Sequence, residues 1–350
     1  MRYAFIIIIS IICVALVLFG AESMQGAANG FELFISNVFP SLFPFFVCVS
    51  ALRYANAFAV GGGGFAGTVL RIFSISCISG SPSGTMLTDT AFGGAVPALD
   101  ERKRSELCAI TNLASPVFIV GTVCSKMLGE ARLAPLIAVC HYGTALMLVL
   151  MFILKNRQTA VDFSRLSSSS PAYTPLTSIL PYAIRDAVST ILQIGGTLVF
   201  FMVIIGIFDA IGAANAFSPC LKGSLFGVLE MTNGIGIIAH AQANPQLKCT
   251  LICAVLSLGG ICVYLQANGV AKVRPMEYFK IKLIHAAAAG ALCYLLYPHF
   301  TVNLAPVISV LGDRLTIVRI VTMGEIALCG ALASIIAALL AIFASKRTRA

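Results

Sequence analysis

Apolar residues run along this chain in stretches of about twenty, divided by short polar joints. A helix needs roughly 20 apolar residues to cross hydrocarbon. Eight stretches meet that length: 3–20, 31–52, 107–128, 133–154, 186–212, 247–270, 278–297 and 325–345. Two more, about 65–98 and 222–245, are apolar but interrupted. Cys77–Met86 places Ser79, Gly80, Ser81, Pro82, Ser83, Gly84 and Thr85 in mid-run, and Gly227–Gly236 places Glu230, Thr232, Asn233 and Gly234 there. Gly- or Pro-interrupted segments at matching places in two halves point to the substrate site of a secondary carrier. The pattern predicts an all-α polytopic membrane protein of about eight transmembrane helices and two re-entrant hairpins.

Charge sets the orientation. With the N-terminus in the cytoplasm and both interrupted segments entering and leaving on one side, 17 of the 23 basic residues fall inside and 6 outside. Positive-inside bias favours that arrangement. If the first segment crossed fully, alone or together with the second, the Arg102-Lys103-Arg104 run and the loop holding Lys155, Arg157 and Arg165 would lie outside. An inverted repeat follows. A peripheral N-terminal span (1–30) precedes a first unit (31–155, hairpin 65–98). A polar cytoplasmic linker (156–178) joins it to a second unit (179–298, hairpin 222–245). An outside segment and a C-terminal span (299–350) end the chain, so both termini are cytoplasmic. Arg185 and Asp186 read as a surface pair at a span start, and 299–324, broken by Pro306 and Gly312, as an outside loop or interfacial helix.

Composition agrees. The chain is 59% hydrophobic and only 11% charged, against about 25% charged in soluble domains, and its mean hydropathy is +0.95. The net charge of +9 is carried by short loops and forms no aromatic-basic patch, which argues against nucleic acid. The first apolar run reads as an uncleaved span rather than a signal peptide. Twelve cysteines lie scattered in apolar runs without a CxxC, and the four histidines show no ligand spacing, so no metal or cofactor is expected. No phosphate-binding loop is present for ATP-driven transport, and no catalytic set of side chains stands out, so the reading is a non-enzyme.

The candidate chemistry sits at the interruptions. Helix starts free backbone N–H groups that attract anions, and Ser81, Ser83 and Thr85 add hydroxyls around Gly84. Thr232, Asn233 and Gly234 do the same in the second segment. The span after each hairpin is also broken, at Asn112 and Ser115-Pro116, and at Gly259-Gly260 ahead of Gln266. Four half-helix ends are thus expected to converge at the midplane. Glu230 and Asp89 are the acidic candidates for coupling to H+ or Na+, because an ionisable group in a span is functional by default.

Five phrases carry a family resemblance: Val38–Phe46, Ser79–Gly84, Thr111–Phe118, Leu229–Gly234 and Gly259–Gln266. Together they resemble the YlbJ-type (SpoVV) sporulation integral membrane proteins, which belong with the nucleoside-recognition Gate domains. The resemblance implies paired hairpins and a secondary carrier of a small carboxylate. Dipicolinic acid, moved across the outer forespore membrane during endospore formation, is the expected substrate, with alternating access between the hairpins. An ion-coupled nucleoside-type transporter and a non-transport sporulation scaffold are the alternatives. The expected partners are a small anion, H+ or Na+ and the lipid bilayer; a homo-oligomer stays open.

Overall fold

The computed structural model describes residues 2–55, 64–93, 99–157, 175–212 and 214–308. Among them all regular structure is helical, and five stretches are long and apolar enough to cross a membrane: Gly20–Tyr54, Ala131–Lys155, Leu176–Ala210, Pro245–Val270 and Pro275–Phe300. This is an integral membrane protein. The span expected at 325–345, most of the linker at 156–178 and most of the segment at 299–350 lie outside the described residues.

Helix α1, Arg2–Leu18, exposes apolar side chains such as Phe5, Ile7, Ile11 and Val17. It is followed by α2, Gly20–Leu33, a π-helical turn at Phe34–Val38 and α3, Phe39–Tyr54, in one continuous rod. The first full span therefore begins at Gly20, not at residue 31. The expected boundary at residue 30 falls inside it. The reason is Gly26-Ala-Ala-Asn-Gly30, a small-xxx-small face that lets two backbones approach. A Cβ on Gly26 would come within 2.8 Å of the Met202 carbonyl, and one on Gly30 within 2.9 Å of Val199 Cα. Both contacts are to the long helix Leu176–Ala210, here α8. Pro40 lies in the first turn of α3, where its missing N–H costs nothing, whereas Pro44 lies inside the helix.

Two pairs of short helices fold back on themselves. The first is α4, Gly64–Ser79, with α5, Ser83–Phe92. The second is α9, Pro219–Leu229, with α10, Met231–His240. Phe65 meets Phe92 at 5.8 Å between ring centroids, while Gly84 faces Ser76, so α4 and α5 run antiparallel. Gly223 faces Ile238 and Gly227 touches Gly234, so α9 and α10 do likewise. At 1.5 Å rise per residue, α5, α9 and α10 are each only about 15 Å long, half a hydrocarbon core.

Each pair is followed by a broken helix. After the first comes α6, Glu101–Thr111, an unwound stretch at Asn112–Ser115, and a π-helical segment at Phe118–Met127. The continuous span expected at 107–128 is therefore two pieces. Pro116 cannot donate to the ladder, and the residue before a proline is pushed out of the helical region. After the second pair comes α11, Pro245–Leu258, then Gly259 in the left-handed region at φ +76°, then α12, Gly260–Val270. Helices α7, Ala134–Lys155, and α13, Pro275–Ile308, close the two halves. Residues 299–308, expected as part of an outside loop, continue α13 through Pro306.

Two corrections concern charge. Asp186 pairs not with its neighbour Arg185 but with Arg53, and it accepts a hydrogen bond from Tyr54 Oη at 2.8 Å, which pins the end of α3 to α8. Lys282, counted among the cytoplasmic loop charges, is buried within α13 at 1% exposure. It is not a loop charge, and the topology count loses it.

The hairpins depend on glycine at contact points. A methyl group at Gly84 would overlap the Thr111 carbonyl, and one at Gly234 would overlap the Gly227 backbone; at Gly67 and Gly236 it would meet nothing within 4 Å. Backbone cannot yield as a flexible side chain can, so Gly84→Ala and Gly234→Ala are expected to cost about 1–3 kcal/mol each. Thermal unfolding of purified protein in detergent should show lowered midpoints for those two and unchanged midpoints for Gly67→Ala and Gly236→Ala.

Candidate functional site

The two turns meet the first break and the helix that follows the second. A small cavity of about 50 Å3 is lined by Ser81 from the first turn, Ser115 from the first break, Glu230 and Thr232 from the second turn, and Gln266 from α12. Leu42 from α3 and Leu198 from α8 complete its apolar wall. Five of the residues expected from sequence therefore share one space, drawn from positions 185 apart in the chain at the extremes.

Packing explains the convergence. Gly80, at φ +77°, sits so close to the first break that an added Cβ would lie 3.0 Å from Ser115 Cβ and 3.1 Å from Leu42 Cδ2. Gly260 lies against the end of α9, where a Cβ would come within 2.8 Å of the Gly227 carbonyl and 3.0 Å of the Val228 carbonyl. In each half, glycine lets a turn seat against a break.

The two turns are chemically unlike. In the second, Glu230 is in extended conformation at φ −141°, ψ 115°, and its own carboxylate caps α10. Oε1 accepts from Thr232 N–H at 2.9 Å and Oε2 from Asn233 N–H at 2.7 Å. The side chain is only 2% exposed. A buried carboxylate held by two backbone donors at a helix N-terminus is a favourable arrangement, since the donors and the helix dipole both favour negative charge. It also means that the anion-attracting groups expected at this turn are already taken.

In the first turn nothing takes that role. Helix α5 starts after Pro82 with no side-chain cap. The hydroxyls of Ser81, Ser83 and Thr85 are all buried, and none has a partner. Unpartnered buried hydroxyls are costly, so three together at an uncapped helix start form a reserve of hydrogen bonds. Ser81 lines the cavity, while Ser83 and Thr85 are buried in the first turn of α5 behind it. Gly84 serves packing against Thr111, and Gly234 packing against Gly227.

Other expected residues lie elsewhere. Asn233 lines a second, larger cavity of about 740 Å3 between α2, α8, α9 and α10, and its Oδ1 is unpartnered there. The first turn of α10 thus separates the two spaces, with Glu230 and Thr232 on one and Asn233 on the other. Asp89 is not at the cavity. It points toward α6 and pairs with Arg104 at 3.6 Å, which gives an ordinary reason for a carboxylate in that position.

Behind the first break lies a polar cluster that the sequence reading did not foresee. Asn112 donates from Nδ2 to Tyr278 Oη at 2.6 Å, and its carbonyl accepts from Lys282 Nζ at 2.8 Å. Ala114 N–H donates to His141 Nε2 at 3.2 Å, and Tyr142 Oη donates to the Ala114 carbonyl at 2.8 Å. His141 Nδ1 lies 2.9 Å from Ser257 Oγ at the end of α11. Since Nε2 accepts, the neutral ring carries its proton on Nδ1 and donates to Ser257. His285 Nε2 sits 2.9 Å from the His141 carbonyl. One imidazole therefore ties the first break to the second. The signal was present: Tyr278, Lys282 and His285 recur at helical spacing on one face of an otherwise apolar span. Inspection for metal-ligand spacing along the chain could not see it, because His141 comes from another helix.

Comparison with known proteins gives one relative. The sporulation integral membrane protein YlbJ of Bacillus subtilis (strain 168) is 24% identical over 79% of this chain and 78% of its own length. No family model matches, and no solved structure matches. The alignment covers most of both chains, so over most of its length this chain is similar to a sporulation integral membrane protein of the YlbJ type.

Proposed function

We propose that this protein is a secondary carrier of a small carboxylate, with dipicolinic acid in endospore formation as the leading substrate. The observation that carries the reading is the convergence of two helical turns, the first helix break and the helix that follows the second break on one cavity. Irregular backbone at membrane depth is tolerated only inside protein or against a wet cavity, and carriers place it at their substrate site. In this reading the helix pairs are re-entrant hairpins, and the two units are inverted copies around the cavity.

A 50 Å3 space holds water but no aromatic dicarboxylate, so the site is contracted in the state described. Binding requires the turns to part. The 740 Å3 space beside Asn233 is of the size that holds a small ligand and serves as the vestibule. Within the site a substrate carboxylate belongs at the first turn, where the α5 start and the hydroxyls of Ser81, Ser83 and Thr85 are unspent. Glu230 holds the second turn closed and repels a second negative charge until it is neutralised or displaced.

One feature favours a second reading, an ion-coupled nucleoside-type carrier. Glu230 and Gln266 face the cavity and no basic side chain lines it. A carboxylate and an amide suit hydroxyls and base edges better than they suit a dianion.

Reconstituted protein should take up labelled dipicolinate into liposomes with saturation. Absence of saturable uptake would sink the carboxylate reading, and competition by uridine but not by unlabelled dipicolinate would put the nucleoside in its place. The double variant Ser81→Ala, Ser83→Ala is expected to raise KM for dipicolinate about tenfold, the effect of losing a hydrogen bond to a charged group. Glu230→Gln should lower kcat at least about tenfold in either reading, because the amide cannot accept from both N–H groups and the turn loses its cap; an unchanged kcat would remove Glu230 from the mechanism.

A further inference from the structure

Three cysteines from three helices meet in the apolar core. Cys140 of α7, Cys253 of α11 and Cys293 of α13 have their Sγ atoms all within 4.8 Å of one another. All three side chains are at 0% exposure, and none is in a disulfide. Among the described residues this is the one place where three side chains of metal-ligating type stand so close. Spacing along the chain hides it, because each sulfur comes from a different helix.

A buried cysteine is ordinarily a small apolar side chain, and a single sulfur contact says no more than that. Three sulfurs facing one point satisfy a stricter geometry. A thiolate–metal bond is about 2.3 Å long, as in zinc sites, and three sulfurs at that length around one ion lie about 4.0 Å apart. The separations in the cluster admit that spacing. Its surroundings are apolar, with Ile137, Ile252, Leu256 and Ala289 in the same core, and no carboxylate or imidazole joins the set. Such a shell keeps water and oxygen donors off an ion.

The donor set selects the ion. All-sulfur ligands favour Cu(I), zinc and iron–sulfur clusters over Mg2+, Ca2+ or Mn2+. Structural zinc and iron–sulfur clusters ask for four protein ligands, and here there are three. Cu(I) accepts a trigonal set of three sulfurs.

We propose that Cys140, Cys253 and Cys293 form a buried Cu(I) site that staples α7 to α11 and α13. Its role is structural. Cys140 is next to His141, and Cys253 lies one helical turn before Ser257, so the ion would sit about one turn from the His141–Ser257 bond that ties the first break to the second. It would fix the helices that carry that bond. Binding releases thiol protons. Cys249, one turn nearer the start of α11 at Pro245, is buried in the same core and offers a further sulfur between the site and that helix end. The inference is independent of the carrier reading, and its test uses no substrate.

The test loads reduced, purified protein in detergent with Cu(I) under nitrogen and competes it with bathocuproine disulfonate. Wild type is expected to retain one Cu(I) per chain, with X-ray absorption showing three sulfurs at about 2.3 Å, and to unfold at a higher temperature than the metal-free protein. Cys140→Ser, Cys253→Ser and Cys293→Ser are each expected to lower the affinity at least about tenfold, since even the outer partners of a ligand cost that much. Cys13→Ser and Cys48→Ser, at exposed positions, should leave it unchanged. If one of the three variants does not accumulate, the other two and the absorption spectrum of wild type decide. No retained copper, copper retained equally by the cluster variants, or a shell of nitrogen or oxygen donors would overturn the proposal.

Discussion

Wherever a helix breaks inside a hydrocarbon slab, the N–H and C=O groups it releases must be satisfied by something other than water. This chain breaks four times near one point, and the rest of its architecture follows from how those groups are met. Glu230 takes the N–H groups at the start of α10. Lys282 takes the Asn112 carbonyl, and His141 and Tyr142 take the Ala114 N–H and carbonyl. The remaining start, that of α5, has three buried hydroxyls beside it and no cap.

The two turns therefore differ in chemistry although they occupy matching places, and in the proposed carrier they differ in role. One is capped by the protein's own carboxylate, and the other has no side-chain cap. A carrier must bind its substrate and then let it go, and a site with all hydrogen bonds already made in the empty state has nothing left to offer. The asymmetry places the reserve at the first turn and the restraint at the second. The bond from His141 to Ser257 joins the break beside the first turn to the break beside the second, so neither half can shift without straining the other.

Much of this was legible in the sequence, and for identifiable reasons. Glycine, proline and hydroxyl residues in mid-run mark a break wherever they occur, so Gly80, Pro82, Pro116, Glu230 and Gly259 located both turns and both breaks. Ser81, Ser115, Glu230, Thr232 and Gln266 then proved to share a cavity. What sequence could not supply was pairing across the bundle. Asp89 looked like Glu230 until Arg104 was placed opposite it. Lys282 looked like a loop charge because apolar length does not say which face of a helix is buried. Gly26 and Gly30 looked like a peripheral joint, whereas they seat α2 on α8. That Glu230 caps its own helix depends on a backbone angle that residue identity leaves free.

The central claim is that the two turns, 151 residues apart between Ser81 and Thr232, meet at one site. Thiol cross-linking tests it most directly. In a variant freed of its native cysteines, Ser81→Cys and Thr232→Cys are introduced together, and membranes are treated with a short bifunctional thiol reagent. The account predicts an intramolecular cross-link at high yield, absent from either single variant. No cross-link in folded protein, under conditions where each cysteine alone can be modified, would contradict it.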